Sequence, residues 1–120
     1  MATGEFKVVN EVIFLDLKTA KWQKRSEVYV ETIDDMPSPR MGASMVEYAD
    51  KLWVYAGADP YGSGQVFSDF FSFDLNTGLW KKQMGQFTEL KFGGGSLMGQ
   101  AVRMYNSDAV IFSGGCNIVT

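Results

Sequence analysis

Phe73-Asp74-Leu75-Asn76-Thr77-Gly78-Leu79-Trp80 decides the fold, because a version of this stretch occurs earlier in the chain as Leu15-Asp16-Leu17-Lys18-Thr19-Ala20-Lys21-Trp22. We call the separation of Trp22 from Trp80 along the chain the tryptophan spacing. Self-similarity at a fixed period of this length indicates a repeat architecture, in which each repeat buries its apolar surface against its neighbours.

A second pattern also occurs twice. Met41-Gly42-Ala43-Ser44 opens a segment that runs to Gly57-Ala58, and Met98-Gly99-Gln100-Ala101 opens one that runs to Gly114-Gly115. The separation of Gly42 from Gly99, which we call the glycine spacing, is one residue shorter than the tryptophan spacing. The tryptophan pattern comes first and the two patterns then alternate. The chain therefore holds one complete unit, preceded by one half-unit and followed by another.

The apolar runs are short and rich in aromatic and β-branched residues, which is typical of strands. No segment has a sustained apolar stripe of helical period, so we predict an all-β chain with little or no helix. The predicted strands are 12–17, 43–48, 52–56, 70–75, 79–82, 101–105 and 109–112.

The tryptophan pattern contains a hairpin turn with a clear mechanism. Asn76-Thr77-Gly78 fits a three-residue loop, a type I turn followed by a left-handed residue. Asp74 and Thr77 can bond backbone groups around such a turn, and Gly78 accepts positive φ without steric cost. The first copy has Ala20 at that position, which should cost about 1 kcal/mol if the conformation is the same.

These residues resemble a kelch repeat. The resemblance is carried by Pro37-Ser38-Pro39-Arg40-Met41-Gly42-Ala43-Ser44, then Leu52-Trp53-Val54-Tyr55-Ala56-Gly57, then Phe73-Asp74 and Trp80. Repeats of this type are the four-stranded blades of a β-propeller. The resemblance implies one kelch region over 1–120, with a complete blade at 37–83, an outer half-blade at 7–25 and an inner half-blade at 97–120.

The resemblance also implies structural roles. Trp22 and Trp80 would lie on outer strands and pack against an adjacent blade, and the double glycine that ends the second strand would be Gly57-Ala58 in the complete blade. The residues expected to maintain the fold are Asp16, Thr19, Trp22, Gly42, Gly57, Asp74, Thr77, Gly78, Trp80, Gly114 and Gly115.

About two blades are too few for a closed propeller, which usually has five to seven blades as the resemblance implies. Three outcomes are open: the chain is a fragment of a longer propeller, the half-blades of several copies complete one another head to tail, or another protein supplies the missing blades. In the second case three chains would give six blades, since a heterologous contact closes into a ring when its rotation permits.

The amino-acid composition limits the catalytic sites, metal sites and partners that this chain can have. The chain has no histidine and one cysteine, Cys116, which excludes a Ser-His-Asp triad and a zinc site built from this chain alone. The net charge of −3 argues against nucleic acid or an anionic membrane as a partner. We predict a cytoplasmic protein without a cofactor or metal. An enzyme of the propeller type, such as a sugar isomerase or a lyase-like protein, would have to use carboxylate, Arg or Tyr side chains.

The resemblance makes a non-catalytic protein–protein interaction module the leading prediction, and a purely structural blade module of a larger assembly is a further alternative. Its partner would bind the long loops at 25–40, 59–68 and 84–96, since loops on a rigid scaffold often bind. Arg40 is the candidate for gripping an acidic peptide, because the guanidinium binds carboxylates bidentately. Tyr61 and Phe67 are candidate aromatic contacts. The alternative for Arg40 is an internal ion pair with a neighbouring carboxylate such as Asp59.

Overall fold

Short β-strands make up nearly all the regular structure in the computed structural model, which describes residues 9–59, 66–83 and 101–113, with the backbone alone for 101, 102 and 111–113. The strands are β1 (Ile13–Asp16), β2 (Lys21–Lys24), β3 (Tyr29–Val30), β4 (Ser44–Tyr48), β5 (Lys51–Tyr55), β6 (Phe70–Asp74), β7 (Leu79–Lys82), β8 (Ala101–Asn106) and β9 (Ala109–Ser113). One 3-10 turn covers Ile33–Asp35. The predicted all-β class is confirmed for these residues.

The central sheet has the strand order β3-β7-β6-β5-β4. Strands β4 to β7 form an antiparallel meander, in which each strand pairs with the next one along the chain. The short β3 pairs in parallel with β7, which the sequence did not predict. The backbone groups on the outer edge of β7 therefore find partners inside the same chain.

The two faces of the central sheet are chemically distinct. The core face carries a buried cluster of Phe71, Phe73 and Trp80, with Phe73 fully buried. Residues packed on this cluster are Val12, Val28, Val30, Met36, Leu52 and Val54. The opposite face carries Trp53 and Phe70, whose ring centroids are 5.9 Å apart. Because side chains alternate along a strand, neighbouring residues of β6 serve different faces.

Two further hairpins flank this sheet. β1 pairs with β2, and β8 pairs with β9, each as a two-stranded antiparallel sheet within the described residues. They are the first copy of the tryptophan pattern and the second copy of the glycine pattern. The propeller arrangement, the number of blades and the division at 7–25, 37–83 and 97–120 stay predictions.

The predicted turn chemistry is confirmed in both copies. The Asp74 carboxylate accepts hydrogen bonds from the backbone N–H groups of Asn76 and Thr77, at 2.8 and 3.0 Å, and Gly78 has φ +77°. The Asp16 carboxylate accepts the corresponding bonds from Lys18 and Thr19, at 2.8 and 3.2 Å. Ala20 follows with φ +56°, so an alanine occupies the left-handed position that glycine favours.

The double-glycine position needs a correction. Gly57 follows the second strand with φ +100°, as predicted, but the other left-handed residue there is Ala56, with φ +64°, and not Ala58. A β-carbon on Gly57 would lie 3.0 Å from the carbonyl oxygen of Met41. This close approach explains why Gly57 lacks a side chain, whereas Ala58 pairs with Met41 through two backbone hydrogen bonds.

A β-bulge in β8 changes the spacing between the two copies of the glycine pattern by one residue. It lies between Met104 and Asn106 and adds one residue to that strand. Before the bulge the copies are related by the glycine spacing, whereas after it the two-residue turns at 49–50 and 107–108 are related by the longer tryptophan spacing. Leu52 therefore corresponds to Val110.

Several predicted residues lie outside the described part of the chain. They are Tyr61, Gly114, Gly115 and the loop at 84–96. In the described part, no helix has both the length and the apolar character needed to cross a membrane.

Candidate functional site

Arg40 lies at the centre of a loop cluster that we call the Arg40 cluster, formed by Ser38, Arg40, Ala56, Phe67 and Asp69. It gathers the segment before β4, the end of β5 and the segment that leads into β6. Backbone hydrogen bonds assemble these segments: the Ala56 N–H donates to the Asp69 carbonyl at 3.1 Å, and the Phe67 N–H donates to the Gly57 carbonyl at 2.8 Å.

The Arg40 guanidinium uses every donor that it has. Its Nη1 and Nη2 atoms form a bidentate ion pair with the Asp69 carboxylate. Nη1 also donates to the Ala56 carbonyl at 3.0 Å, and the remaining bonds go to the carbonyl and hydroxyl oxygens of Ser38, at 3.1 and 3.2 Å. A guanidinium has five N–H groups, and these five bonds account for all of them.

Burial and aromatic contacts complete the Arg40 environment. The side chain is 7% exposed, and its guanidinium carbon lies 4.2 Å from the ring centroid of Phe67 and 5.3 Å from that of Phe71. Tyr55 is buried close by, and this burial, followed by the negative charge of Asp69, raises the pKa of its phenol. The Arg40 guanidinium is therefore largely shielded from water with its charge paired, whereas Ser38 is exposed and the Asp69 side chain is 19% exposed.

The alternative that the sequence offered for Arg40, an internal ion pair, is confirmed, with Asp69 as the acid. Phe67 lies in the same cluster and stacks on the guanidinium. Binding of an acidic peptide by Arg40 stays a prediction, and it would require the bonds to Asp69 to break. Sequence reasoning missed Asp69, because it lies 29 residues from Arg40 and no local pattern connects the two.

A second candidate surface lies on the β1–β2 hairpin. Ile13, Leu15 and Trp22 share one face, because Leu15 pairs directly with Trp22 and Ile13 lies two residues along the same strand. We call these three residues the exposed triad. These residues are 56%, 38% and 68% exposed, respectively. Large apolar side chains grouped on one face are characteristic of interaction surfaces.

The exposed triad is the repeat counterpart of the buried cluster in the central sheet. The tryptophan spacing relates it to Phe71, Phe73 and Trp80, which are 2%, 0% and 5% exposed. The pairing is also the same, since Phe73 lies opposite Trp80 as Leu15 lies opposite Trp22. The sequence predicted that both tryptophans pack against a neighbour, and within the described residues only Trp80 is buried.

The carboxylates near the sheet edges have structural partners. Asp35 accepts a hydrogen bond from the backbone N–H of Lys82 at 3.1 Å, which lowers the pKa of its carboxyl group and ties the 3-10 turn to β7. The backbone N–H groups of Thr77 and Asn76 likewise lower the pKa of Asp74. Over residues 9–59, 66–83 and 101–113, no group of three or more Cys, His, Asp or Glu residues is placed to hold a metal ion.

Comparison with known proteins gives one partial similarity and no family. No family model matches the chain. The chain is similar to Protein ral2 of Schizosaccharomyces pombe (strain 972 / ATCC 24843), with 37% identity over 49 residues. The similarity covers 41% of this chain and 8% of that protein, so the match spans less than a tenth of the length of this relative.

Proposed function

We propose that this chain is a segment of a kelch-type β-propeller that acts as a protein–protein interaction module in the cytoplasm and performs no catalysis. The four-stranded meander β4 to β7, with its buried tryptophan on the last strand, supports the assignment to this type of repeat. The flanking hairpins support it further, since each repeats one half of that meander. The similarity to Protein ral2 is compatible with this proposal but covers less than half of the chain.

The observation that carries the proposal is the exposed triad. The same three positions form the core of the complete sheet, where neighbouring residues exclude water from them. In the β1–β2 hairpin they lie open, with Trp22 at 68% exposure. Tryptophan is among the residues that contribute most to binding energy at protein interfaces. The proposed contact surface is therefore this face of the hairpin.

The Arg40 cluster is a weaker candidate for the contact surface. All five donors of Arg40 are occupied, and its positive charge is neutralised by Asp69. A partner carboxylate would have to displace Asp69 and leave that residue, whose side chain is 19% exposed, as an unpaired and partly desolvated charge, which is unfavourable. Arg40 is better suited to holding the loops together. Likewise, the hydrogen bonds of Asp35 and Asp74 to the backbone support structural rather than acid–base roles.

Site-specific photocrosslinking tests the proposal. The photoreactive amino acid p-benzoylphenylalanine replaces Trp22 in one variant and Ile33 in a matched control. Ile33 is also apolar and is 78% exposed, but it lies in the 3-10 turn and not on the β1–β2 hairpin. We expect position 22 to crosslink a discrete protein in an extract of cells that express the chain. Position 33 should not crosslink that protein.

Direct binding then decides whether the crosslinked protein is a genuine partner. The purified partner should bind the chain, and Trp22→Arg should weaken this binding at least about tenfold, as expected for an interface hot spot. Ile33→Arg should leave it unchanged. Identical crosslinking patterns at positions 22 and 33, or equal binding by the two arginine variants, would contradict the proposed contact surface.

A further inference from the structure

The exposed triad has a counterpart within the same chain that fits it. In the central sheet, β5 pairs with β6 and places Leu52 opposite Phe73 and Val54 opposite Phe71. The β1–β2 hairpin repeats β6 and β7, but β1 has β2 as its one strand neighbour in the described residues. The strand that repeats β5 is β9, and within the described residues β9 pairs with β8 alone. Each hairpin thus offers the strand edge that the other lacks.

The bulge in β8 determines how these two edges match. After the bulge the copies of the glycine pattern are related by the tryptophan spacing, so one spacing relates both hairpins to the central sheet. Transferring the β5–β6 register then places Val110 opposite Leu15, so two apolar residues meet, and places position 112 opposite Ile13. The remaining pairs of this register are Ala109 with Asp16 and Ile111 with Phe14. The shorter glycine spacing would instead place the small Ala109 opposite Leu15.

The position of Val110 in the structure supports the longer spacing. Val110 and Met104 line a cavity of about 430 Å³ together with Trp53 and Phe70. β8–β9 therefore turns its Val110 side towards the opposite face of the central sheet. Val110 has the position in the β8–β9 hairpin that Leu52 has in the β4–β5 hairpin. Leu52 lies on the core face of the central sheet, and an earlier segment of the chain that includes Val12 covers that face. In both hairpins, this position thus faces another part of the chain.

The two hairpins of one molecule lie on different sides of the central sheet. Val12, at the start of the β1–β2 hairpin, packs on the core face against Phe71, Phe73 and Trp80. β8–β9 adjoins the opposite face, near Trp53 and Phe70. The five-stranded sheet separates them, so β9 cannot pair with β1 of the same molecule without disrupting this packing. A β9 strand that pairs with β1 would therefore belong to another copy of the chain.

We propose that the occupant of the β1 edge is the β8–β9 hairpin of a second copy of this chain, with β9 antiparallel to β1 and Val110 opposite Leu15. This inference rests on the proposed function and names its partner. Backbone hydrogen bonds along the strand edge provide affinity, and the alternating side chains set the register. The contact is head to tail, because different hairpins of the two copies meet, and it forms a closed ring if the rotation between copies permits.

Cysteine crosslinking tests the register. In a Cys116→Ser background, one sample carries Leu15→Cys and a second carries Val110→Cys, and the two are mixed under oxidised glutathione. Directly opposed residues of paired strands have β-carbons at a distance that a disulfide can span. We expect a crosslinked dimer from the mixture and none from either variant alone. Phe14→Cys, which belongs to the other face of β1, should not crosslink to Val110→Cys.

The mass of the full chain in solution, measured by light scattering, distinguishes the failure of this inference from the failure of the proposed function. An oligomer that is lost in Trp22→Arg and retained in Ile33→Arg, together with the Leu15–Val110 crosslink, supports the inference. A monomer at every concentration, or an oligomer without this crosslink, overturns it. The proposed function survives that result if position 22 still crosslinks a different protein, and it fails if position 22 crosslinks nothing.

Discussion

Arg40 and Asp69, which lie 29 residues apart in sequence, form a bidentate ion pair whose arginine side chain is 7% exposed. The pair joins the loop before β4 to the start of β6, and the same guanidinium reaches the Ala56 carbonyl at the end of β5. Removing one partner from such a pair leaves the other as a buried, uncompensated charge. The loop cluster therefore depends on both residues being present.

Arg40→Ala should lower the free energy of unfolding by about 3–5 kcal/mol, since it breaks a buried ion pair and leaves Asp69 unpaired. Urea denaturation followed by circular dichroism measures this change. Arg103→Ala is the matched control, because Arg103 is exposed on β8, and its effect should stay within about 0.5 kcal/mol. Equal stability of the two variants would mean that the ion pair has no structural role.

Ala20→Gly should raise the free energy of unfolding by up to about 1 kcal/mol. Ala20 has φ +56°, a left-handed conformation that costs a residue with a β-carbon about 1–2 kcal/mol. Glycine removes this cost, but it loses more backbone entropy on folding than alanine, which offsets part of the stabilisation. Thermal denaturation gives the result as an increase in melting temperature. A decrease would show that strain at position 20 is smaller than the entropy that glycine loses on folding.

Gly78→Ala should have the opposite and larger effect, a loss of about 2–3 kcal/mol, although it occupies the same position of the second turn. A β-carbon at Gly78 would lie 2.0 Å from the Glu27 carbonyl oxygen, so the backbone would have to move. That movement would disturb the hydrogen bond from the Tyr29 N–H to the Gly78 carbonyl, which is 2.8 Å long and begins the β3–β7 pairing. The measurement is chemical denaturation, and a loss no larger than the gain from Ala20→Gly would contradict the close approach.

The carboxylate of Asp74 should make stability depend on pH in the acidic range. Backbone N–H groups of Thr77 and Asn76 lower its pKa in the folded state below the ordinary value of 3.8. The folded state therefore binds a proton less readily than the unfolded state, so the contribution of Asp74 is complete above that value and is lost as the pH falls through the folded pKa. Wild type should be more stable than Asp74→Asn at neutral pH, and the difference should shrink below about pH 4. Denaturation curves at a series of pH values measure it, and a difference that does not change with pH would rule out this linkage.

Much of the fold follows from local sequence patterns. The strands 70–75 and 79–82 and the turn between them were predicted because alternating apolar residues, an aspartate and a glycine act within a few residues of one another. The equivalence of the two tryptophan patterns was also predictable from spacing, and the structure gives both hairpins the same register. What the spacing did not indicate was the bulge in β8, since one inserted residue leaves no characteristic composition.

Less of the candidate sites could be predicted. Trp22 and Trp80 stand in the same local pattern, and their difference of 68% against 5% exposure arises from what packs against each hairpin. Asp69 gave no signal as the partner of Arg40, since the two meet only after β5 and β6 have paired. The parallel contact of β3 with β7 was missed because two residues are too few for a strand pattern.

The sequence by itself determined the period, the strands and the turns, because hydrophobic alternation and the conformational preferences of Asp, Thr and Gly act over short distances along the chain. Only the tertiary structure decided which apolar face is buried and which lies open, and which charge neutralises Arg40. Those outcomes depend on contacts between residues that are distant in sequence, where burial and electrostatics are settled by the neighbours that the fold supplies.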